Sequence, residues 1–331
     1  MLSSPSLVSF GMPILPESSF SQAWYMRGGH METIVPSLYR KVPVAYVRER
    51  IDTPDGDFLD LDWLPQDSDR LVVITHGLEG SSDRHYVTGT ARKMHEEGWE
   101  VLAWNCRSCS GEMNRRFRLY HHGDTGDIHA VLQHALARRA YRQVVLVGYS
   151  MGGSIALRYL ADPPEALPDC MVAGVAVSTP VDLGDSARAL ETRGNTFYRK
   201  RFLGKLRKKL RHKAQEWPER VDELRLESVR TFEEFDTHFS APMFGFADAE
   251  DFYAHASVGP HLPKLDRPGL LLVAENDPML GEACYPYALA QDHPLFYLEV
   301  CRHGGHTGFW RPGEAYTYAD ERIVTWLETV L

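Results

Sequence analysis

The sequence predicts an α/β fold: a mostly parallel, twisted sheet with helices on both faces and a helical cap inserted between two of its later strands. Three observations predict it. Short apolar runs alternate with stretches of helical periodicity, the pattern of βαβ units. The runs at Leu71–Gly77, Gln143–Ser150 and Met171–Pro180 are apolar for most of their length, as strands covered on both faces must be. Residues 181–259 interrupt the alternation with helical and irregular sequence and no convincing strand, as a segment lying above a sheet would.

Taken in order, Val44–Leu64 reads as two strands joined by the turn Pro54-Asp55-Gly56-Asp57, which gives the sheet an antiparallel edge. The run Leu71–Gly77 is followed by a helix over about Tyr86–Glu97, then the strand Glu100–Cys106. A loop rich in Arg, Gly and His leads to a helix over about Thr125–Arg139, with Ile128, Val131, Leu132 and Leu136 on one face. Next come Gln143–Ser150, a helix over Gly152–Leu160, and Met171–Pro180. Beyond the inserted segment lie the strand Gly269–Pro278, a helix, the strand Leu295–Cys301, and a last helix over about Ala319–Leu331.

Composition sets broad limits. The chain has 331 residues, 44% hydrophobic and 24% charged, which fits a globular protein with an ample core. No apolar run reaches the roughly 18–20 residues that span a bilayer. The first twenty residues carry no Lys or Arg and are broken by prolines, unlike a signal peptide, so a cytoplasmic protein is expected. Five scattered cysteines do not make a disulfide framework. Cys106 and Cys109 form a lone C-x-x-C without the second pair a zinc site would need.

The chemistry centres on Gly148-Tyr149-Ser150-Met151-Gly152, a G-x-S-x-G set between an apolar strand and a helix. A serine on so sharp a turn is exposed as a nucleophile, and the residues two before and two after it must be small. No G-x-G-x-x-G or G-K-[ST] stands at this turn to suggest nucleotide binding instead. A nucleophilic serine needs a base, and the base an orienting acid. Asp277 follows one later strand and His306, among glycines, follows the next. Glu275 and Asp266 compete for the acid, and His303 for the base. The oxyanion of an acyl intermediate needs two backbone donors, expected at Leu78 and Met151. His76, in a His-Gly turn, is expected to hold a structural hydrogen bond.

His121, His122, Asp124 and Asp127 could be drawn as a metal site, but loop geometry and helix N-capping account for them more simply, so no metal is expected. His30 suggests only a packed turn.

Several motifs in order resemble the α/β-hydrolases, and more narrowly the YheT-type esterase branch: Gly28–Arg40, Thr75–Tyr86, Asn105–Arg115, Tyr120–Ile128, Gly148–Ser154, Glu275–Leu280 and Gly304–Phe309. Ser108 departs from the glycine expected there. The resemblance implies the α/β-hydrolase fold, a triad on Ser150, Asp277 and His306, and no cofactor. It leaves Cys109 in a family position and makes a redox role for the C-x-x-C less fitting. The expected organisation is an N-terminal extension packed on the core (1–43), two core segments (44–180 and 260–331) and the cap (181–259).

The expected function is a serine hydrolase acting on small-molecule carboxylic esters of short to medium acyl chain or lipid-like character. Acyl transfer, thioester cleavage, or a non-catalytic binding protein on the same fold are the alternatives. Arg199–Lys213 holds nine Lys or Arg and no acid, while the remaining 27 basic residues face 45 acidic ones. With Phe202, Leu203, Leu206 and Leu210 at helical spacing, this segment reads as a lid helix. Its sharper reading is a peripheral contact with anionic lipid. Nucleic acid is not an expected partner, because the rest of the surface is acidic.

Overall fold

Eight strands form one sheet: β1 (Val47–Asp52), β2 (Phe58–Leu64), β3 (Arg70–Thr75), β4 (Glu100–Asn105), β5 (Gln143–Tyr149), β6 (Met171–Val177), β7 (Gly269–Ala274) and β8 (Phe296–Cys301). The computed structural model describes residues 14–15 and 18–331, so the reading of the first twenty residues falls largely outside it. The strand order is β1-β2-β4-β3-β5-β6-β7-β8. β1 and β2 are antiparallel to each other, and β2 to β4; the remaining neighbours are parallel. The chain passes outward from β3 to β4 and returns to β5 on the other side of β3. The direction of winding therefore reverses at β3/β5, and ligands of open α/β sheets bind outside the carboxyl ends of strands at such a point.

Alternate residues of each central strand feed two separate cores, because side chains point to opposite faces. Leu71, Val73, Val144 and Leu146 join one core with Ile128, Val131 and Ile155. Val72, Ile74, Val145 and Val147 join the other with Val87, Ile323 and Trp326. The helices supplying these partners are α2 (His85–Glu96), α3 (Gly126–Arg138), α4 (Met151–Ala161) and α12 (Tyr318–Val330). Both faces are thus covered, which is why β3, β5, β6 and β7 are apolar over most of their length.

Between β6 and β7 the chain is helical: α5 (Leu183–Glu191), α6 (Thr196–Glu216), α7 (Glu223–Ser228), α8 (Phe232–Phe235), a π-helical turn (Asp236–Ser240), α9 (Ala241–Phe244) and α10 (Ala249–Ala256). Leu203, Leu206 and Leu210 of α6 pack with Phe232, Phe235 and Phe239. A short α11 (Tyr287–Asp292) precedes β8. Among the described residues no helix is long and apolar enough to cross a membrane.

One element was not anticipated. Gly29–Tyr39, read as a packed turn around His30, is a helix, α1, with Pro36 inside it. Its buried residues are Glu32, Thr33 and Pro36, so it carries no apolar stripe for periodicity to detect.

The loop after β4 is anchored by Arg107. Its guanidinium reaches Asp55 (2.7 Å) and Asp57 (2.9 Å) of the β1–β2 turn and Asp127 (2.7 Å) of α3. Arg118 takes Asp124. These ion pairs occupy the two carboxylates, and Asp124 Oδ1 also accepts from Gly126 N–H at 3.3 Å at the start of α3, where Thr125 itself makes no side-chain cap. Arg107→Leu would leave Asp57 and Asp127 buried and unpaired, so unfolding free energy should fall by about 3–5 kcal/mol. Urea unfolding of the variant checks this.

Candidate active site

Ser150 sits where β5 meets α4, with φ +54° and ψ −122°. That backbone conformation costs about 1–3 kcal/mol and survives only where packing enforces it. A Cβ at Gly148 would lie 2.0 Å from the Gly152 carbonyl oxygen, and one at Gly152 would lie 2.2 Å from that of Thr75. The two glycines therefore let β5, β3 and the start of α4 close around the turn. Ser150 N–H also donates to Val177 O at 2.8 Å, tying the turn to β6.

His306 and Asp277 arrive from the loops after β8 and β7. His306 Nε2 lies 2.9 Å from Ser150 Oγ, and Nδ1 lies 2.8 and 3.1 Å from the two Asp277 oxygens. A carboxylate accepts only, so Nδ1 carries a proton toward Asp277 and Nε2 is left to accept from the serine hydroxyl. Met279 N–H donates to Asp277 Oδ1 at 2.9 Å, fixing that carboxylate. The competitors stand elsewhere. Glu275 and Asp266 are exposed, and His303 Nδ1 faces Glu32 at 3.8 Å.

The groups that hold these loops were missed from the sequence. Thr33 Oγ1 accepts the His306 N–H at 2.8 Å and donates to Gly29 O at 2.6 Å. The buried Glu32 carboxylate accepts from Asn276 Nδ2 (3.1 Å) and from Gly304 N–H, and Asn276 Oδ1 accepts from Gly305 N–H at 3.0 Å. Ser178 Oγ accepts from Thr307 N–H at 2.9 Å. α1 thus clamps the Asp277 and His306 loops to each other. The Gly28–Arg40 motif was visible, but nothing in it says which distant loops its polar residues meet. His30 Nδ1 also contacts Tyr198 Oη of α6 at 3.2 Å.

The loop after β3 lies against the serine, with Gly77 packed on Ser150 Cβ. Neither Leu78 N–H nor Met151 N–H has an acceptor among the described residues. Glu79, at φ +56°, strains this loop and is held at every polar group. Its carboxylate accepts from Lys209 Nζ and Tyr120 Oη, both at 2.6 Å, and its N–H donates to Tyr120 Oη at 3.1 Å. His76 is buried and donates from Nδ1 to Gly77 O at 2.7 Å, while Nε2 accepts from Cys106 N–H at 3.0 Å. Burial pushes its pKa down to about 4, so it stays neutral. The Cys106 and Cys109 thiols are free, and burial raises both.

Two cavities meet at Ser150, His306, Leu78, Phe202 and Met279. One, of about 90 Å³, runs inward between Leu206, Phe232 and Phe252. At about 10–15 Å³ for each water-sized group, it has room for roughly six to nine of them. The other, about 240 Å³, opens outward past Tyr86, Arg84, Arg201 and Lys205. A larger cleft of about 750 Å³ lies behind α5 and contains none of the triad. His122 and Asp236 face the inner cavity. Burial drives His122 down to about 3 and Asp236 up to about 6. His121 packs among Phe244, Phe246 and Phe252. His121, His122, Asp124 and Asp127 therefore do not converge as ligands.

Thr33→Val removes the acceptor for His306 N–H. A fluorophosphonate should then modify Ser150 at least roughly tenfold more slowly, since small misplacement of a base is costly. Asp236 supplies a pH test. Folded, it keeps its proton to about pH 6, whereas in the unfolded chain it ionises near pH 3.9. Its contribution to stability is thus fully present below the unfolded value and lost as pH rises through about 6. The melting-temperature difference, Asp236→Asn minus wild type, should be more positive at about pH 8 than at about pH 4.

The model of the alpha/beta hydrolase fold family matches residues 70–312. The chain is 33% identical over 312 residues to "Putative esterase YheT" of Escherichia coli, covering 91% of each. It is 26% identical to human "Phospholipase ABHD3", over 90% of this chain and 75% of that protein. It is 27% identical to "Monoacylglycerol lipase" of Saccharomyces cerevisiae, over 83% and 62%. Among solved structures, an esterase of Pyrococcus furiosus superposes with a TM-score of 0.58 at 20% identity, over 86% of this chain and 91% of that one, which is a likeness of fold. With its sheet order and its sequence kinship in agreement, the chain belongs to the α/β hydrolase family and is of the YheT type.

Proposed function

We propose that this protein is a serine hydrolase of carboxylic esters, working through an acyl-enzyme on Ser150. The observation that carries the reading is the unbroken hydrogen-bonded run Ser150–His306–Asp277 at the junction of two cavities. His306 Nε2 takes the hydroxyl proton as Ser150 Oγ attacks the acyl carbonyl carbon. Asp277 holds the imidazole and stabilises its protonated form. The N–H groups of Leu78 and Met151 receive the oxyanion; loss of one such donor typically costs about 10²–10³ in turnover. His306 then protonates the departing alcohol, and water, activated by the same base, clears the acyl group.

The inner cavity supports a short to medium acyl chain in that position, and the outer one leaves room for the alcohol. Relatives named as an esterase, a phospholipase and a monoacylglycerol lipase point to the same chemical class. The expected peripheral contact with anionic lipid is narrower than the charge of α6 suggests. Lys209 and Lys213 are buried, and Lys205 and Arg207 donate to backbone carbonyls, so the helix turns much of its charge inward.

A fluorophosphonate should label the protein stoichiometrically at Ser150, and Ser150→Ala should abolish both labelling and hydrolysis of hexanoyl esters. Folded protein that takes no label would overturn the reading. Adding a small alcohol and measuring product partition separates hydrolysis from acyl transfer.

A further inference from the structure

We propose that Arg84, Arg201 and Lys205 form a subsite for a phosphate group carried on the alcohol portion of the ester. The inference rests on the ester-hydrolase reading and deepens it. All three cations line the outer cavity that also exposes Ser150 and His306. Arg84 comes from the loop that follows β3, and Arg201 and Lys205 come from one face of α6, at i and i+4. Lys205 Nζ and Arg84 Nη2 donate to the same oxygen, Glu79 O, at 2.7 and 3.3 Å. The two nitrogens cannot be farther apart than the sum of those distances.

None of the three has a carboxylate partner among the described residues. Lys209, Arg107, Arg118 and Arg40 each hold one. Two acids border the same opening. Glu79 is already taken by Lys209 and Tyr120, and Asp83 is exposed and pairs with none of the three. The cations instead weigh on one another: burial and then Arg84 lower the pKa of both Arg201 and Lys205. Like charges gathered beside a reaction centre raise the energy of the empty site, and a dianion relieves it. Guanidinium forks suit the oxygens of a phosphate better than a single carboxylate would use them. The polarity of the two cavities gives the direction. The acyl chain takes the apolar one, which leaves the cationic one to the alcohol, so the matching substrate is an acyl ester of a phosphorylated polyol.

The test compares hexanoyl glycerol phosphate with hexanoyl glycerol, both in solution below aggregation. The phosphate ester should have a kcat/KM at least about tenfold higher, as expected of charge-assisted hydrogen bonds. The preference should shrink with added salt, and inorganic phosphate should slow fluorophosphonate labelling of Ser150. Arg201→Gln removes a side chain that makes no hydrogen bond or ion pair among the described residues, and it should lower the ratio of the two kcat/KM values about tenfold, mainly through KM. Arg84→Gln, checked for folding by the same label, should act in the same direction. Equal use of both esters by wild type, or a preference untouched in both variants, overturns the subsite. So does a preference seen only when the esters are presented in anionic vesicles, which would place the recognition at a lipid surface. If neither ester is cleaved while Ser150 still labels, the ester-hydrolase reading fails, and protection of the label by inorganic phosphate still decides the subsite.

Discussion

The turn at Ser150 is held in a backbone conformation that an L-residue avoids, and most of the site is arranged around keeping it there. The strain is contained because three backbone segments meet at Gly148 and Gly152 with no space for a side chain. β3 and β5 are parallel neighbours in the middle of an eight-stranded sheet, so the scaffold under the turn is buried on both faces. A serine raised this way stands clear of the sheet, with the first N–H groups of α4 beside it. The same crowding that makes the turn costly makes it rigid, and rigidity keeps Ser150 Oγ aligned with His306 Nε2.

Two elements outside the sheet complete the geometry. α1 reaches the His306 loop through Glu32 and Thr33, and α6 reaches the loop carrying Leu78 through Lys209 and Lys205. They also touch each other where His30 meets Tyr198. Both contacts use buried polar groups with matched partners, which are directional where apolar packing is not. An unpaired Glu32 or Lys209 in these positions would be costly, so each clamp has few alternative arrangements. The helices between β6 and β7 are therefore more than a cover over the serine, because Lys209 of α6 grips the strained loop that carries Leu78.

Charge is distributed with the same logic. Buried carboxylates meet the buried guanidiniums of Arg107 and Arg40, and α6 turns Lys209 and Lys213 inward. Near the serine a group of cations without carboxylate partners among the described residues lines the outer cavity, opposite a more apolar inner cavity where Leu and Phe side chains surround His122 and Asp236. The polarity of the site therefore changes across Ser150.

The strand–helix alternation was readable from the sequence because two-sided burial forces uninterrupted apolar runs, and that burial is a property of each strand taken alone. Ser150 was readable because its turn demands glycines at fixed offsets. Asp277 and His306 were marked by strand ends and flanking glycines. α1 was not readable as a helix, since its buried face is polar, nor were the roles of Glu32 and Thr33, whose partners lie more than two hundred residues away along the chain. Asp124 and Asp127 were read as loop and cap residues, and Asp124 does meet the first N–H of α3, but the arginines that pair with both were not readable. The nine cations of Arg199–Lys213 looked like one charged face, yet the fold buries Lys209 and Lys213, turns Arg201 and Lys205 to the outer cavity and leaves Lys200, Lys208 and Arg211 exposed. Local patterns record which groups must be buried and which turns must be tight; only the folded chain decides which polar group finds which partner, because hydrogen bonds and ion pairs leave no periodic trace in the sequence that forms them.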